Sequence, residues 1–446
     1  MLLKFISKYI LYPLFQIKEK QFIILKKLYV NKKIYSLNKK EIDRIRLLKL
    51  RKLIKHSYNN CKYYRDLFDF LKIDINNFSF ETLKCIPIIT KDIINNNRED
   101  LVATNFKYKL LKDATGGSTA SPLIFYRDKQ CLFTRIASQL FLNKIIGWDI
   151  GTKYALIWGA GRDLSNDKSI KSFIRERLIF RRIHLDATRM NSLNIYKFIN
   201  EFLKFKPEII YGYPSAINEL CLKLKHDNVS VDFVKKVICT AEPLNNDYRK
   251  TIATVFKCDV INRYTSRECG VLAQECQMNN GLHINYLSVD IQIRENRIIL
   301  TDLDNYGMPL INYDIGDKTE DNVINIEPCK CLFPGPLITL GASRETDYFI
   351  KRDGTLIFGA GLSIIALTGE TGIKNIQIIQ KDYELFLVKI VKDINYTEQN
   401  TERIIRELKN YLGDDIIIKI IYVDRIDRIK SSGKYRYIIS EIINRS

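Results

Sequence analysis

Between residues 150 and 270, short apolar runs alternate with amphipathic helical stretches, and this alternation confines the chain to an α/β fold. "KYALIWGAG" (153–161), the centre of "LNIYKFINEFLKFKPEIIYGYPSAINELCLKLK" (193–225), "VKKVICTAEPL" (234–244) and "CDVINRYTSRECG" (258–270) each run into a polar or glycine-bearing loop. Apolar runs of this length suit strands buried on both faces. Strands separated by helices pair mainly in parallel, and ligands of such sheets sit beyond the carboxyl ends of the strands. The loops just named fall there.

The 446 residues exceed what one compact core organises. Three parts are expected: an N-terminal amphipathic segment 1–40, a large α/β domain 41–345, and a small α+β domain 346–446. In the large part, residues 40–75 read as helix, with Ile42, Ile45, Leu48, Leu53 and Ile54 as one apolar stripe. Thr90 is placed to cap a following helix. From about residue 285 the pattern changes to short strands and turns. In the last part, "IQIIQKDYELFLVKIV" and "DIIIKIIYV" read as strands and "TEQNTERIIRELKNYLG" as a helix between them, with "NYTEQNTE" as the loop leading into it.

A net charge of +20 raises nucleic acid or an anionic membrane as partners. The lysines occur along the whole chain beside abundant Ile and Asn, the mark of a composition skew on a solvated surface, so no nucleic-acid partner is expected. Ten scattered cysteines do not form a secreted disulfide scaffold, and a cytoplasmic location is expected. The N-terminus has no small-residue cleavage site and is interrupted by Lys4, Lys8 and Pro13, so it neither reads as a signal peptide nor spans a bilayer. Leu3, Ile6, Ile10 and Leu14 share a helical face. A helix lying on the inner membrane face and a helix packed on its own domain both fit that spacing. Oligomeric state is not legible.

"DATGGSTASPLIFYRD" (113–128) is a Gly/Ser/Thr-rich loop without the Gly-Lys-Ser/Thr ending of a P-loop. Its backbone N–H groups and hydroxyls could converge on phosphate, although a Gly/Ser/Thr cluster taken alone is more often an ordinary turn. It is followed in order by "YGYPSAI" (211–217), "TAEPL" (240–244), "RYTSRECG" (263–270), "TDLDNYGMPLINYDIGD" (301–317), "SRETDYFIKRDG" (343–354) and "SSGKYR" (431–436). With "LRKLIKHSYNNCKYYRDLF" and "LKCIPIITKDII" upstream, this series resembles the adenylate-forming enzymes, specifically the phenylacetate–CoA ligase-like group and its capsular-polysaccharide CapK branch, over residues 40–446.

The resemblance implies an acid–CoA ligase that joins a carboxylic acid to AMP and passes the acyl group to CoA or to an amine or sugar of a polysaccharide precursor. Its cofactors would be ATP, Mg²⁺ and CoA. Thr115, Gly116, Gly117, Ser118 and Thr119 would cover the terminal phosphates. Ala241, Glu242 and Pro243 would border adenine, with Tyr264 stacked on it. Asp317 would accept the ribose hydroxyls, while Asp314 belongs to the same motif without that role. Arg344 would contact ribose or phosphate, Asp347 would lie at the hinge, Glu268 would bind Mg²⁺ and Lys434 would reach the first-step site. Tyr211, Tyr213 and Trp158 would line the acid pocket, although Trp158 serves core packing as readily.

The chain departs from the family pattern at Ala120, Thr265, Arg267 and Ser343, which keeps a non-catalytic assembly partner as an alternative. Separately, Cys276 and His283 in "CQMNNGLH" and Cys329 and Cys331 in "CKC" make three thiolates and an imidazole, a donor set for structural Zn²⁺. Similar residues hold structural zinc in some members of the resembled group. Cys329 and Cys331, two apart, would share one face of an extended segment. Four unrelated side chains are the alternative.

Overall fold

The computed structural model describes residues 2–106, 109–114, 123–158, 169–187, 192–242, 244, 246–319, 324–327, 329–331, 333, 335–340, 348–352, 356–358, 372–426 and 438–442. Its centre is an eight-stranded sheet. Five strands run parallel in the spatial order Arg182–Asp186, Tyr154–Trp158, Ile209–Gly212, Lys236–Thr240, Asp259–Ser266. Gly270–Glu275, Leu282–Ile284 and Leu337–Ile338 extend it antiparallel. The fold is thus α/β with a mixed main sheet.

The strand order fixes where a ligand can sit. The chain goes outward from Tyr154–Trp158 to Arg182–Asp186, then returns past it and winds the other way through Ile209–Gly212. The reversal opens a crevice at the carboxyl ends of Tyr154–Trp158 and Ile209–Gly212. There the backbones nearly touch: a Cβ on Gly212 would lie 2.1 Å from the Ile157 carbonyl oxygen, so only glycine fits. The Tyr213 N–H then donates to the same carbonyl at 3.2 Å.

A three-stranded antiparallel sheet, Val289–Arg294, Arg297–Asp302 and Tyr313–Lys318, packs its apolar side chains into one core with the helices Lys39–Asn60 and Lys62–Phe70. The expected stripe on Lys39–Asn60 needs one correction. Leu48 is exposed, and the buried face is Ile42, Arg46, Leu50, Leu53, Ile54 and Ser57. The 3.6-residue period places 46 and 50, not 48, under 42 and 53. Arg46 is tolerated inside because it donates to Asp290 (2.8 Å) and to the Tyr286 carbonyl (2.6 Å) and lies 3.4 Å over the Tyr286 ring. Thr90 caps Lys91–Asn96 as expected.

The C-terminal domain is a four-stranded sheet, in the order Ile417–Tyr422, Leu385–Lys392, Ile373–Gln380, Ile438–Ser440, with the helix Glu398–Leu412. That helix begins inside the stretch read as a loop, because Thr397 and Asn400 form a reciprocal cap at its start. The expected boundary at 345/346 lies outside the described residues. Among the described residues no helix is long and apolar enough to cross a membrane.

Candidate functional site

At the carboxyl edge of the main sheet, residues distant in sequence meet. Tyr264, near the end of Asp259–Ser266, donates its hydroxyl to Asp317 Oδ2 at 2.6 Å, so the expected base-stacking ring and the expected ribose acceptor are physically joined. Glu268 follows in the loop to Gly270–Glu275. It is buried and accepts from the Tyr313 hydroxyl at 3.1 Å. Asp314 is committed elsewhere, to Arg297 (2.9 Å) and the Gly316 N–H (2.8 Å).

The two departures in "YTSRE" have structural occupations. Thr265 pairs hydroxyls with Thr240 at 2.9 Å, joining neighbouring strand ends. Arg267 Nε donates to Asp113 at 3.1 Å, and Arg127 also pairs with Asp113. Asp113 lies on Leu111–Ala114, the strand that leads into the Gly/Ser/Thr loop. Arg267 thus ties the Glu268 loop to the start of that loop.

One strand over, Ala241 adopts left-handed backbone, φ +67°. Such conformations in non-glycine residues cluster at ligand sites. Glu242 is buried, and both the N–H (3.2 Å) and the hydroxyl (2.6 Å) of Ser215 donate to its Oε2. Burial outweighs these bonds and pushes its carboxyl up to about 7. A carboxyl raised this way favours its neutral form in the folded state, so its contribution to stability is fullest below pH 4.5 and is lost as pH rises to 7. The loss should amount to roughly 3 kcal/mol. Glu242→Gln, which mimics the neutral form, is expected to show a smaller decline in stability over that window in pH-dependent denaturant melts, and a parallel decline in both proteins would contradict this.

The aromatic residues divide between two clusters. Trp158 lies 4.8 Å from Tyr213 and 5.8 Å from Tyr211, at the crevice. Tyr213 packs with the helix Pro214–His226, whereas Tyr211 sits between Trp148 and the Arg263 guanidinium. Tyr411, from the C-terminal helix, is half-buried close to Glu242 and Tyr213, and desolvation first and then these neighbours push its phenol up. Thr115, Gly116, Gly117, Ser118, Thr119, Ala120, residues 159–161, Pro243, Ser343, Arg344, Asp347 and Lys434 lie outside the described residues.

Tyr313, Ser215 and the Arg267–Asp113 pair were not found by sequence reasoning. Each acts through a partner at least 27 positions away, a separation that no local pattern encodes. A groove of about 1040 Å³, lined by Arg46, Phe80, Lys84 and Arg294 among others, contains none of the nucleotide-motif residues.

The second site lies at the antiparallel edge of the main sheet. The ligating atoms of Cys276, His283, Cys329 and Cys331 all lie within 4.8 Å of one another. Cys276 and Cys329 sulfurs are 3.8 Å apart, about the edge of a tetrahedron with ~2.3 Å Zn–S bonds. His283 Nε2 lies 3.1 Å from Cys331 Sγ, while Nδ1 is 3.2 Å from the Gly335 carbonyl, which as acceptor fixes the tautomer with Nε2 facing the thiols. Burial lowers the His283 pKa, which favours the neutral ligand form.

Cys329 and Cys331 do not share an extended segment as expected. The chain turns there, and the Phe333 N–H donates to Cys331 Sγ (3.4 Å) as the Met278 N–H does to Cys276 Sγ (3.3 Å). These turns, not strand alternation, converge the sulfurs. The residues present fit a four-coordinate zinc.

Comparison with known proteins matches this architecture. Residues 349–441 match the family described as CapK C-terminal domain. Over 390 residues the chain is 24% identical to Protein CapK of Staphylococcus aureus, with 86% of each chain covered. Its fold resembles that of 2-hydroxyisobutyryl-CoA ligase in complex with 2-HIB-AMP and CoA in the thioesterification state, at 15% identity and a TM-score of 0.59, with 93% of each chain covered. An open conformation of that ligase is similar at 15% identity and a TM-score of 0.53, over 90% of this chain and 92% of the other. The resemblance carried by the ordered motifs is borne out in these comparisons: residues 349–441 match the CapK C-terminal family, and the chain as a whole is similar in fold to the solved 2-hydroxyisobutyryl-CoA ligase.

Proposed function

We propose that this protein activates a carboxylic acid as its acyl-adenylate and transfers the acyl group to CoA. The observation that carries this is the meeting of Tyr264 with Asp317, and of Glu268 with Tyr313, at the carboxyl edge of the sheet, beside the strand that leads into the Gly/Ser/Thr loop. In the first step a carboxylate oxygen bonds to the α-phosphorus of ATP as the bond to the β-phosphate breaks and pyrophosphate leaves. In the second, the CoA sulfur attacks the acyl carbon, AMP leaves with the bonding pair, and the thiol proton passes to solvent.

The first step builds charge on phosphate oxygens and needs fixed donors. Residues 115–119 would supply backbone N–H groups and hydroxyls to the terminal phosphates. Tyr264 would offer its ring to adenine while its hydroxyl holds Asp317 in place for the ribose diol, and Arg344 would add a cation there. Ala241, Glu242 and Pro243 would border the base. Lys434 would bridge the carboxylate and the α-phosphate.

Glu268 is suited to Mg²⁺: it is buried, and the Tyr313 hydroxyl steadies one of its oxygens. The ion would neutralise phosphate charge. Trp158 and Tyr213 at the crevice would receive the acid, with Tyr211 behind them. Zinc at Cys276, His283, Cys329 and Cys331 would be structural, because four protein ligands close the site. Domain rotation about Asp347 would exchange the two half-reactions. That the solved 2-hydroxyisobutyryl-CoA ligase occurs in both a thioesterification state and an open state supports this.

A second acceptor, an amine or sugar of a surface-polysaccharide precursor, is favoured by the CapK C-terminal domain. A non-catalytic role loses support from the structural bonds that Thr265 and Arg267 make. Acid-dependent ATP–pyrophosphate exchange tests the first step. Addition of CoA to the acyl-adenylate then tests the acceptor: thioester formation is expected, and an adenylate consumed only by an amine or sugar would select the second acceptor.

A further inference from the structure

The N-terminal helices are amphipathic in the inverse sense. Ser7, Tyr12 and Gln16 face the body and are buried, so two of the three inward side chains on this face are fully polar. Ser7 donates to the Ile179 carbonyl at 2.9 Å, and Lys8 pairs with Asp149 at 2.6 Å. A Cβ on Gly151 would lie 2.6 Å from the Lys4 carbonyl oxygen, so the first turns are pressed onto the body. The large apolar side chains point outward instead.

The neighbouring segment 170–179 behaves in the same way, and the two are one surface: the Phe180 ring stands edge-on to Phe15 at 5.3 Å. Leu3, Phe5, Leu14, Ile17, Ile170 and Phe173 are between 56% and 78% exposed. Both segments contain a π-helical turn, Ser7–Leu11 and Arg175–Ile179, a feature that shifts the face a helix presents. Scattered apolar residues on a surface need no explanation, but a patch built from two separate segments over polar undersides does.

Charge identifies the occupant. Residues 1–40 hold ten lysines against one glutamate, and residues 170–182 hold five basic residues against one glutamate. These two stretches carry thirteen of the twenty net positive charges of the chain. The single acid of the second stretch, Glu176, is engaged by Arg182 and by His184 (3.0 Å). A second copy of the chain would bring like charge against this face. Outward apolar side chains on stretches rich in lysine and arginine match the boundary between headgroups and acyl chains of an anionic bilayer.

We propose that the N-terminal helices and the 170–179 segment together dock this protein onto an anionic lipid surface, with Phe5, Leu14 and Phe173 inserted below the headgroups.

The test is sedimentation of the full-length protein with vesicles of phosphatidylcholine alone or with about 30 mol % phosphatidylglycerol, at low and high salt. Binding to the anionic vesicles is expected to be at least about tenfold tighter, and to fall about tenfold or more in Phe5→Glu, Leu14→Glu and Phe173→Glu. All three sites are exposed, and circular dichroism checks that each variant is folded. Variants that bind as the wild type does would reduce the effect to general charge attraction and overturn the docking face. So would an absence of binding to either vesicle, or dimerisation in ultracentrifugation that the same substitutions abolish.

Discussion

Lys434→Ala is expected to lower acid-dependent ATP–pyrophosphate exchange by about 10²-fold or more while ATP binding is retained. The site assembled in the large domain brings carboxylates together: Asp317, Glu268 and Asp113 all lie at or near the carboxyl edge of the sheet. Its nearby described cations, Arg267 and Arg127, are bound to Asp113. An attacking carboxylate and a triphosphate would add more negative charge, so a cation from elsewhere is needed to bring them together.

The C-terminal domain is the natural source. Lys434 precedes in sequence the strand Ile438–Ser440, which runs parallel to Ile373–Gln380. Because the lysine would act on the transition state, the loss should appear in the exchange rate and leave the nucleotide dissociation constant nearly unchanged. Exchange at the wild-type rate would show that the first-step cation comes from another residue.

Cys331→Ser should remove zinc and lower stability by roughly 5 kcal/mol, a fall of roughly 10 °C in melting temperature. The site ties together three pieces of the sheet edge: Cys276 just after Gly270–Glu275, His283 within Leu282–Ile284, and the turn before Leu337–Ile338. The strand Leu337–Ile338 has only two residues, and without a metal the thiols would be left as a buried cluster in which burial pushes Cys331 up to about 12. A divalent ion stabilises the thiolates and inverts that preference. Cys85→Ser, at an exposed thiol outside the cluster, is the control. Elemental analysis of the purified protein should give one zinc per chain, absent in Cys331→Ser and retained in Cys85→Ser. A folded, metal-free wild type of unchanged melting temperature would reduce the four residues to coincident neighbours.

The main sheet was legible in the sequence because buried parallel strands leave continuous apolar runs, and the loops at their ends carry the motifs. The pairing of Asp317 with Tyr264 was not legible, because their separation of 53 positions is closed only by the packing of the second sheet. Ser215 and Tyr313 escaped for the same reason. The helix Lys39–Asn60 shows a different limit: an apolar residue at 48 looked like a core position, but a buried arginine with its own acceptor can hold a place on the stripe that hydrophobicity alone would not assign. At the N-terminus the sequence offers an apolar helical face, but the direction in which that face points depends on the Ser7, Lys8 and Gln16 environment, which only the tertiary structure supplies.

The measurement that decides most is ATP–pyrophosphate exchange by the purified protein across a panel of aryl, aliphatic and amino acids. Adenylate formation at the Tyr264–Asp317 and Glu268 site predicts exchange that depends on one class of acid and on Mg²⁺. A folded protein that binds ATP but exchanges with no acid would contradict the proposed activity.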